Sequence, residues 1–280
     1  MSADATGSPA TTRVLLGLAY DGAGFSGWAR QPGRRTVQQV LEDTLGMVLR
    51  LPGLLSLTVA GRTDAGVHAL GQVAHCDLPT DCWAAAAGTL QRRLTRALPA
   101  DVRVHQVAAA PAGFDARFSA LWRRYEYRVC DDPAQADPLG RHTTLWHPHP
   151  LDLTAMNEAA QGLVGEADYA AFCRRREGAS TVRRVLRLDW ARPEPTVAVA
   201  TVEADGFCHN MVRAMVGAML RVGDGTKPLS WPAQVLAARV RDPAVTVVAP
   251  HGLCLVAVGY PPDGLLAARA AQTRQLRDAL

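Results

Sequence analysis

The chain has 280 residues, of which 48% are apolar and 20% are charged, with a net charge of +4. This composition provides a full hydrophobic core and excludes fibrous and intrinsically disordered classes. Charges, Gly or Pro interrupt every apolar stretch well before the ~20 residues that a bilayer requires. Residues 1–12 have no cationic or apolar segment typical of a signal peptide and predict a disordered tail. We therefore expect a globular, cytoplasmic protein without a membrane partner.

The first part of the chain shows hydrophobic patterns in the order β-α-β-β-α-β. Residues 13–20 predict a buried strand, and Thr36 followed by Gln39 has the capping-box pattern of a helix start. The remaining predicted elements are strands at 56–61 and 71–77, a helix at 82–98 and a strand at 102–109. This order is that of ferredoxin-like and RRM-like domains.

The second part repeats this element order without repeating its residues. The predicted elements are a strand at 122–130, a helix at 152–164, strands at 184–191 and 196–204, helices at 208–222 and 231–240, and a strand at 253–259. Residues 131–150 are rich in Pro and His and predict a long surface loop. Two such units, at 13–110 and 114–262, could join edge to edge into one antiparallel sheet, which would cover an exposed edge of each.

Two basic runs indicate a nucleic-acid partner. Of the 30 basic residues only Lys227 is a lysine, which codon usage could also explain. The run 114–128 interleaves aromatic and Arg side chains, the combination expected for RNA bases and phosphates. The run 174–187 contains six arginines and a single carboxylate. The candidate RNA contacts are Phe114, Arg117, Phe118, Arg124, Arg174, Arg175, Arg176 and Arg183. A solvated strand face is the alternative for each run taken alone.

The loop at 60–68, AGRTDAGVH, is the candidate for chemistry. Arg62 and Asp64 are two residues apart, so in an extended backbone their side chains leave on the same side. A neighbouring Arg favours the ionised carboxylate, which can act as a nucleophile or base. The alternative is that Asp64 only caps a turn within a hairpin loop.

Sequence motifs for other chemistries are missing. No GxSxG elbow, zinc-deaminase pattern or phosphate-binding GxxxxGK[ST] loop occurs in the sequence. His147 and His149 lack further ligands at useful spacing, so no metal is expected. The six cysteines contain no CxxC pair and are expected to be reduced thiols. If the chain is an enzyme, we therefore expect it to work without a metal or nucleotide cofactor.

Five motifs in order resemble those of the bacterial TruA-type tRNA pseudouridine synthases. They are YDGAGFSGWARQ (20–31), RTVQQVLE (35–42), AGRTDAGVHALGQVAH (60–75), FDARFSALWRRYEYRV (114–129) and FCHNMVRAMVGAMLRVG (207–223). The resemblance covers about residues 13–260, and GRTDAGVH is highly specific for the family. It implies an α+β fold of two RRM-like halves in one sheet, with helices on one face and the active cleft between the halves. Residues 263–280 are then a C-terminal extension without an assigned role.

The resemblance also implies roles for individual residues. Asp64 would be the catalytic aspartate, Arg62 the arginine of its loop, and Tyr125 the tyrosine that stacks on the target uracil. Arg213 would pair with the catalytic carboxylate from the opposite half. The family consists of cofactor-free homodimers that modify uridines 38, 39 and 40 in the anticodon arm of tRNA. The Arg-rich segment at 173–181 departs from common members.

Residue types leave several alternatives open. Asp64 could add to C6 of uracil, attack C1′, or remove the C2′ proton. Strand parity places Tyr125 beside Tyr127 and Val129, so it could instead be a core residue. The competing functions are an inactive RRM-like RNA-binding module, which gives no reason for the Arg62–Asp64 loop, and an Asp-nucleophile hydrolase, which has no use for two basic runs.

Overall fold

The computed structural model describes residues 10–174, 178 and 180–278. The strands are β1 (Thr11–Tyr20), β2 (Thr58–Val59), β3 (His68–Pro79), β4 (Val102–Ala109), β5 (Trp122–Cys130), β6 (Leu145–Trp146), β7 (Gly165–Asp168), β8 (Val182–Glu194), β9 (Val197–Ala204) and β10 (Leu253–Gly259). The α-helices are α1 (Val37–Leu49), α2 (Thr80–Ala86), α3 (Leu90–Ala97), α4 (Leu153–Ala160), α5 (Met211–Gly223), α6 (Trp231–Ala238) and α7 (Leu266–Asp278). Within the described chain, none of these helices has the length and apolarity needed to span a bilayer.

The strands form one sheet whose main path runs β4-β1-β3-β10-β5-β9-β8-β7, with β2 beside β3 and β6 beside β5. Strands β1 to β4 with helices α1 to α3 make an N-terminal unit, and β5 to β10 with α4 to α6 make a C-terminal unit. Both units contain the β-α-β-β-α-β order that the sequence predicts, and the α+β fold is confirmed.

The two units meet where β10 lies beside β3. Strand β2 has only two residues and covers only the middle of the β3 edge. The start of β3, at His68, therefore pairs with Cys254 of β10. This pairing is parallel, as is that of β5 with β6. The expectation of a purely antiparallel sheet is thus wrong at the seam between the units.

Helices α1 to α6 cover one face of the sheet and enclose the main core. On β1, Val14, Leu16 and Leu18 are fully buried and face these helices. The predicted N-cap is confirmed, because the Thr36 side chain accepts a hydrogen bond from the Gln39 backbone N–H at 3.4 Å. Helix α5 is buried around most of its circumference and is central to the core of the C-terminal unit.

Helix α7, which forms most of the C-terminal extension, packs on the opposite face. Leu266, Phe114 and Ala116 form a small second core against Leu15 and Val73. These two strand residues alternate with those of the main core and so point the other way. The expectation of helices on one face is therefore correct for α1 to α6 and wrong for α7.

Several predicted boundaries shift for local reasons. The strand expected at 56–61 shrinks to β2, because residues 60–67 turn into the loop that precedes β3. The helix expected at 82–98 divides into α2 and α3, with Gly88 in the break. The loop expected at 131–150 contains β6 and two 3-10 turns. Helix α5 starts later than predicted, because Asn210 adopts a left-handed conformation (φ 68°) before it.

Candidate active site

The loop at 60–67 connects β2 to β3 at the seam and carries Arg62 and Asp64. Gly27 (φ +91°) lies directly against it, since a Cβ there would be 3.0 Å from Thr63 O and 3.3 Å from the Asp64 carbonyl carbon. The Val67 N–H donates to Asp64 O at 3.2 Å and closes a turn. The loop backbone is thus packed on one side and turned back on itself at the residue predicted to be catalytic.

A buried hydrogen-bond network supports this loop from below. The hydroxyls of Tyr20 and Thr63 lie 2.8 Å apart. The Gln72 side-chain amide donates to Tyr20 Oη at 3.1 Å and to Gly61 O at 2.8 Å. Burial raises the pKa of Tyr20 to about 12, which keeps the phenol protonated at neutral pH. The residues on both sides of Arg62 are therefore held by buried polar side chains.

Arg123 and His68 connect the loop to other parts of the chain. The Arg123 guanidinium is buried and donates to Ala60 O at 3.2 and 2.7 Å and to Asp205 O at 2.7 Å. His68 Nδ1 lies 3.0 Å from both the Gly22 N–H and Asp21 Oδ1, and its Nε2 donates to the carbonyl oxygen of residue 142 at 2.7 Å. Sequence reasoning assigned Arg123 to the basic run and gave His68 no role.

The Asp64 carboxylate faces a residue that sequence reasoning missed. His209 Nε2 lies 3.6 Å from Asp64 Oδ1, and both side chains are about one-third exposed. Arg213 donates to Val248 O at 2.7 Å and contacts Asn210 Oδ1 at 3.4 Å. The Arg213 guanidinium thus bonds within its own unit and forms no ion pair with Asp64 among the described residues, and its pairing with Asp64 stays a prediction. The only signal for His209 was its place in the FCHNMVR motif.

Arg62 and Tyr125 flank Asp64 in different environments. Arg62 is exposed and forms no hydrogen bond or ion pair with the described residues. Tyr125 is 7% exposed, and its ring meets Phe207 edge to face at 5.2 Å. Burial raises the pKa of Tyr125, and the nearby Asp64 carboxylate adds to that shift. Tyr125 thus combines a core position with proximity to the carboxylate.

The predicted RNA contacts in the first basic run lie in three settings. Phe114 is 2% exposed within the small core on the α7 face, so its ring offers no surface to RNA. Arg117 is exposed, and its guanidinium lies 5.2 Å from the partly exposed Phe118 ring. Arg124 points away from Tyr125 along β5 and pairs with Glu203 at 2.7 Å. The Phe118 ring also lies 4.8 Å from the Arg274 guanidinium, so Arg117, Phe118 and Arg274 form one partly exposed group.

The second basic run approaches the candidate site. Arg174 is exposed, and its backbone N–H donates to His209 O at 2.9 Å. Arg183 lies beside Gly206, where an added Cβ would be 3.7 Å from its side chain; burial lowers the pKa of Arg183, and the charge of Asp205 opposes that shift. Arg175 and Arg176 lie outside the described residues. Arg174 and Arg183 therefore border the segment that carries His209.

A disulfide joins two elements at the site, which corrects the expectation of six reduced thiols. Cys173 and Cys208 are bonded, with Cα atoms 5.7 Å apart and a sequence separation of 35. No short motif reveals such a pair, because the fold brings the segment after β7 beside the start of α5. The free cysteines among the described residues are Cys76, Cys82, Cys130 and Cys254.

Comparison with known proteins identifies the family. Residues 159–261 match the family described as tRNA pseudouridine synthase. The tRNA pseudouridine synthase A of Streptomyces griseus is 61% identical over 270 residues, covering 96% of this chain and 95% of that protein. The protein of the same name from Frankia casuarinae is 62% identical over 265 residues, covering 95% of each chain. Identity at this level over nearly the whole chain defines an RNA-modifying isomerase. The chain belongs to the tRNA pseudouridine synthase family, of the TruA type.

Solved structures show a weaker resemblance. One, described as "Crystal Structure of a Cbf5-Nop10-Gar1 Complex", aligns with a TM-score of 0.32 and 12% identity, covering 74% of this chain and 45% of that chain. A similarity of this size adds nothing to the assignment, which depends on the sequence relatives.

Proposed function

We propose that this enzyme converts uridine to pseudouridine at positions 38, 39 and 40 of the tRNA anticodon arm, with Asp64 as the catalytic carboxylate and no cofactor. The observation that carries the proposal is the position of Asp64. Its loop ends at the seam between the two units, where His209 and Tyr125 of the C-terminal unit lie beside it. A substrate base in a cleft between the units would contact groups from both.

The reaction breaks N1–C1′, turns the uracil, and joins C5 to C1′. The C5 hydrogen leaves as a proton and N1 takes up a proton, so the isomerisation balances without an oxidant, a reductant or an added group. The base must leave the helical stack to be turned, and the Tyr125 ring beside Phe207 provides an apolar wall for it. Asp64 adds to C6, attacks C1′ or removes the C2′ proton, and each route requires the ionised carboxylate.

The cations around the site support an RNA substrate. Arg62 is exposed on the Asp64 loop, and Arg174 is exposed with its backbone N–H bonded to His209 O. Guanidinium groups suit phosphate oxygens, since they form two parallel hydrogen bonds. We propose that Arg62 and Arg174, with Arg117 and Arg183, contact the tRNA backbone. The chain would act as a homodimer in the cytoplasm.

Tritium release from tRNA labelled with [5-³H]uridine tests the function, since only a synthase replaces the C5 hydrogen. Wild type should release label from the anticodon arm, and Asp64→Asn should release none while binding tRNA with little change, because phosphate contacts dominate binding. Asp81→Asn, which changes an exposed carboxylate on α2, is the matched control. Multiple turnover by Asp64→Asn, with deamidation excluded by mass spectrometry, would refute the role of Asp64.

The same assay separates the competing functions. An inactive RNA-binding module would bind tRNA without releasing label, and a hydrolase would release free uracil rather than tritiated water. Mapping pseudouridine on unmodified transcripts would show whether all three positions react. Light scattering at micromolar concentration would test the homodimer.

A further inference from the structure

The segment that carries His209 is held more firmly than a connecting loop usually is. Residues 207–210 lie between β9 and α5, and Cys208 is bonded to Cys173. The His209 carbonyl accepts the Arg174 backbone N–H at 2.9 Å. Asn210 is one of only a few non-glycine residues with positive φ in the described chain. These constraints fix the backbone from which the imidazole projects.

The imidazole faces the carboxylate that the reaction requires. His209 Nε2 to Asp64 Oδ1 is 3.6 Å, and within the described residues no other Lys, Arg or His nitrogen lies within 4.0 Å of the Asp64 carboxylate. Arg213 is engaged by Val248 O and Asn210. A closer approach by less than 1 Å would make a charge-assisted hydrogen bond of about 2.7–2.9 Å.

The backbone and the side chain of Asp64 have different supports. The loop network through Thr63 and the turn to Val67 hold the backbone, but neither reaches the carboxylate. The orientation of the Asp64 carboxylate therefore depends on the group that lies beside Oδ1, and that group is His209.

We propose that His209 is a positioning residue for the known reaction, which aims the Asp64 carboxylate at the base and keeps it from rotating toward solvent. This inference rests on the proposed function of Asp64. His209 acts from the opposite unit, so it also joins the two units across the site. This role requires a side chain at position 209 that can donate a hydrogen bond.

Direct contact between His209 and RNA is the alternative role. The two roles differ in what they change. A positioning residue alters the rate of the chemical step through Asp64, and its loss leaves tRNA affinity unchanged when Asp64 is already Asn. An RNA contact alters affinity whether or not Asp64 is present.

The experiment compares His209→Ala with His209→Gln, which retains an N–H donor. Under single turnover with saturating [5-³H]uridine tRNA, we expect His209→Ala to slow label release by on the order of 10- to 100-fold, the size of effect that misplacement of a reacting group causes. His209→Gln should stay within about threefold of wild type, because it restores the donor. His105→Gln, on the distant edge strand β4, is the matched control and should react like wild type.

Binding is measured with the same His209 changes in the Asp64→Asn background, where the substrate is not consumed. We expect the tRNA dissociation constant to change by less than about twofold, since salt-dependent phosphate contacts dominate affinity. A rate for His209→Ala equal to wild type, a Gln variant as slow as Ala, or a large loss of affinity in the Asp64→Asn background would overturn the inference.

Two controls keep these outcomes interpretable. His209→Leu, which keeps bulk without a donor, replaces the Ala variant if that variant does not melt like wild type. Absence of label release by wild type itself would refute the proposed function, whereas an active wild type with unaffected His209 variants refutes only the positioning role.

Discussion

The phenolic oxygen of Tyr20 lies 2.8 Å from the hydroxyl of Thr63, the residue between Arg62 and Asp64 in the loop. Both residues are almost fully buried, at 5% and 6% exposed, and Gln72 completes the network. The end of the first strand thus supports the candidate catalytic loop from within the core.

Tyr20→Phe should lower activity as well as stability. It removes a buried hydroxyl and leaves Thr63 without that partner, which costs about 1–3 kcal/mol of unfolding free energy. The loop then loses its support, so the single-turnover rate should fall while tRNA affinity stays close to wild type. Thermal melting and tritium release measure the two effects.

The matched control is Tyr169→Phe, whose buried hydroxyl bonds to Leu163 O at 2.8 Å near the opposite edge of the sheet. It should lose comparable stability without loss of rate. Equal rate losses in the two variants would mean that the Tyr20 effect is only a consequence of lower stability.

The repeated element order and the Asp64 loop could be predicted because they depend on local patterns. The apolar run of β1, the Thr36 cap and the spacing of Arg62 and Asp64 all lie within short stretches of sequence. The seam could not be predicted in the same way. The parallel pairing of β3 with β10 requires a β2 that is short enough to leave the start of β3 available to β10. This pairing therefore depends on three separate segments of the chain.

Side-chain partners at the site required tertiary information for the same reason. Arg213 was expected to meet Asp64, but it bonds to Val248 O, and the group 3.6 Å from the carboxylate is His209, just before the left-handed turn at Asn210. Phe114 belongs to an aromatic and basic run, yet α7 covers it on the opposite face of the sheet. The short motif around Asn210 does not reveal the turn, and the run that contains Phe114 does not reveal that α7 covers it.

Tyr125→Phe separates the two readings of Tyr125 better than Tyr125→Ala does. Because Tyr125 is 7% exposed in the main core, truncation to Ala should cost about 3–5 kcal/mol of stability whatever its role. Phe retains the ring and should melt near wild type, and it should keep most of the activity if the ring acts as a wall for uracil. A large loss of single-turnover rate in a well-folded Phe variant would instead assign proton transfer to the hydroxyl.

Salt dependence tests the arginines that border the site. Replacing Arg174 and Arg183 with Ala should weaken tRNA binding and reduce the slope of log affinity against log salt by about one unit per lost phosphate contact. Arg92→Ala with Arg96→Ala, both exposed on α3, removes the same charge elsewhere. An equal slope change in the two double variants would show that only net charge matters.

The Cys173–Cys208 disulfide should make stability depend on reducing agent. Closing a segment of 35 residues constrains the unfolded chain by about 4 kcal/mol in the chain-entropy account. Dithiothreitol should lower the melting temperature of wild type and leave Cys173→Ser unaffected. Cys82→Ser, which changes a free thiol, should stay as sensitive as wild type. A wild type that melts identically with and without reductant, or that alkylates at both cysteines before reduction, would contradict the bond.

The ion pair between Asp131 and Arg192 should account for part of the stability that the protein loses in acid. The buried Asp131 carboxylate accepts from Arg192 at 2.8 and 2.7 Å and from the Leu151 N–H at 2.9 Å. Burial alone would raise the pKa of Asp131, but these hydrogen bonds outweigh it and hold the pKa below its usual value.

A carboxyl whose pKa is lower in the folded state stabilises the fold at all pH values above its unfolded pKa of about 3.9. That contribution disappears as pH falls through the lower, folded-state pKa. Asp131→Asn should therefore melt well below wild type at pH 7, and the gap should narrow only below about pH 4. The exposed neighbour Asp132→Asn is the control for removing one charge and should show a small gap throughout. A gap between Asp131→Asn and wild type that keeps its full size in strong acid would show that shape and packing at residue 131, rather than its charge, provide the stability.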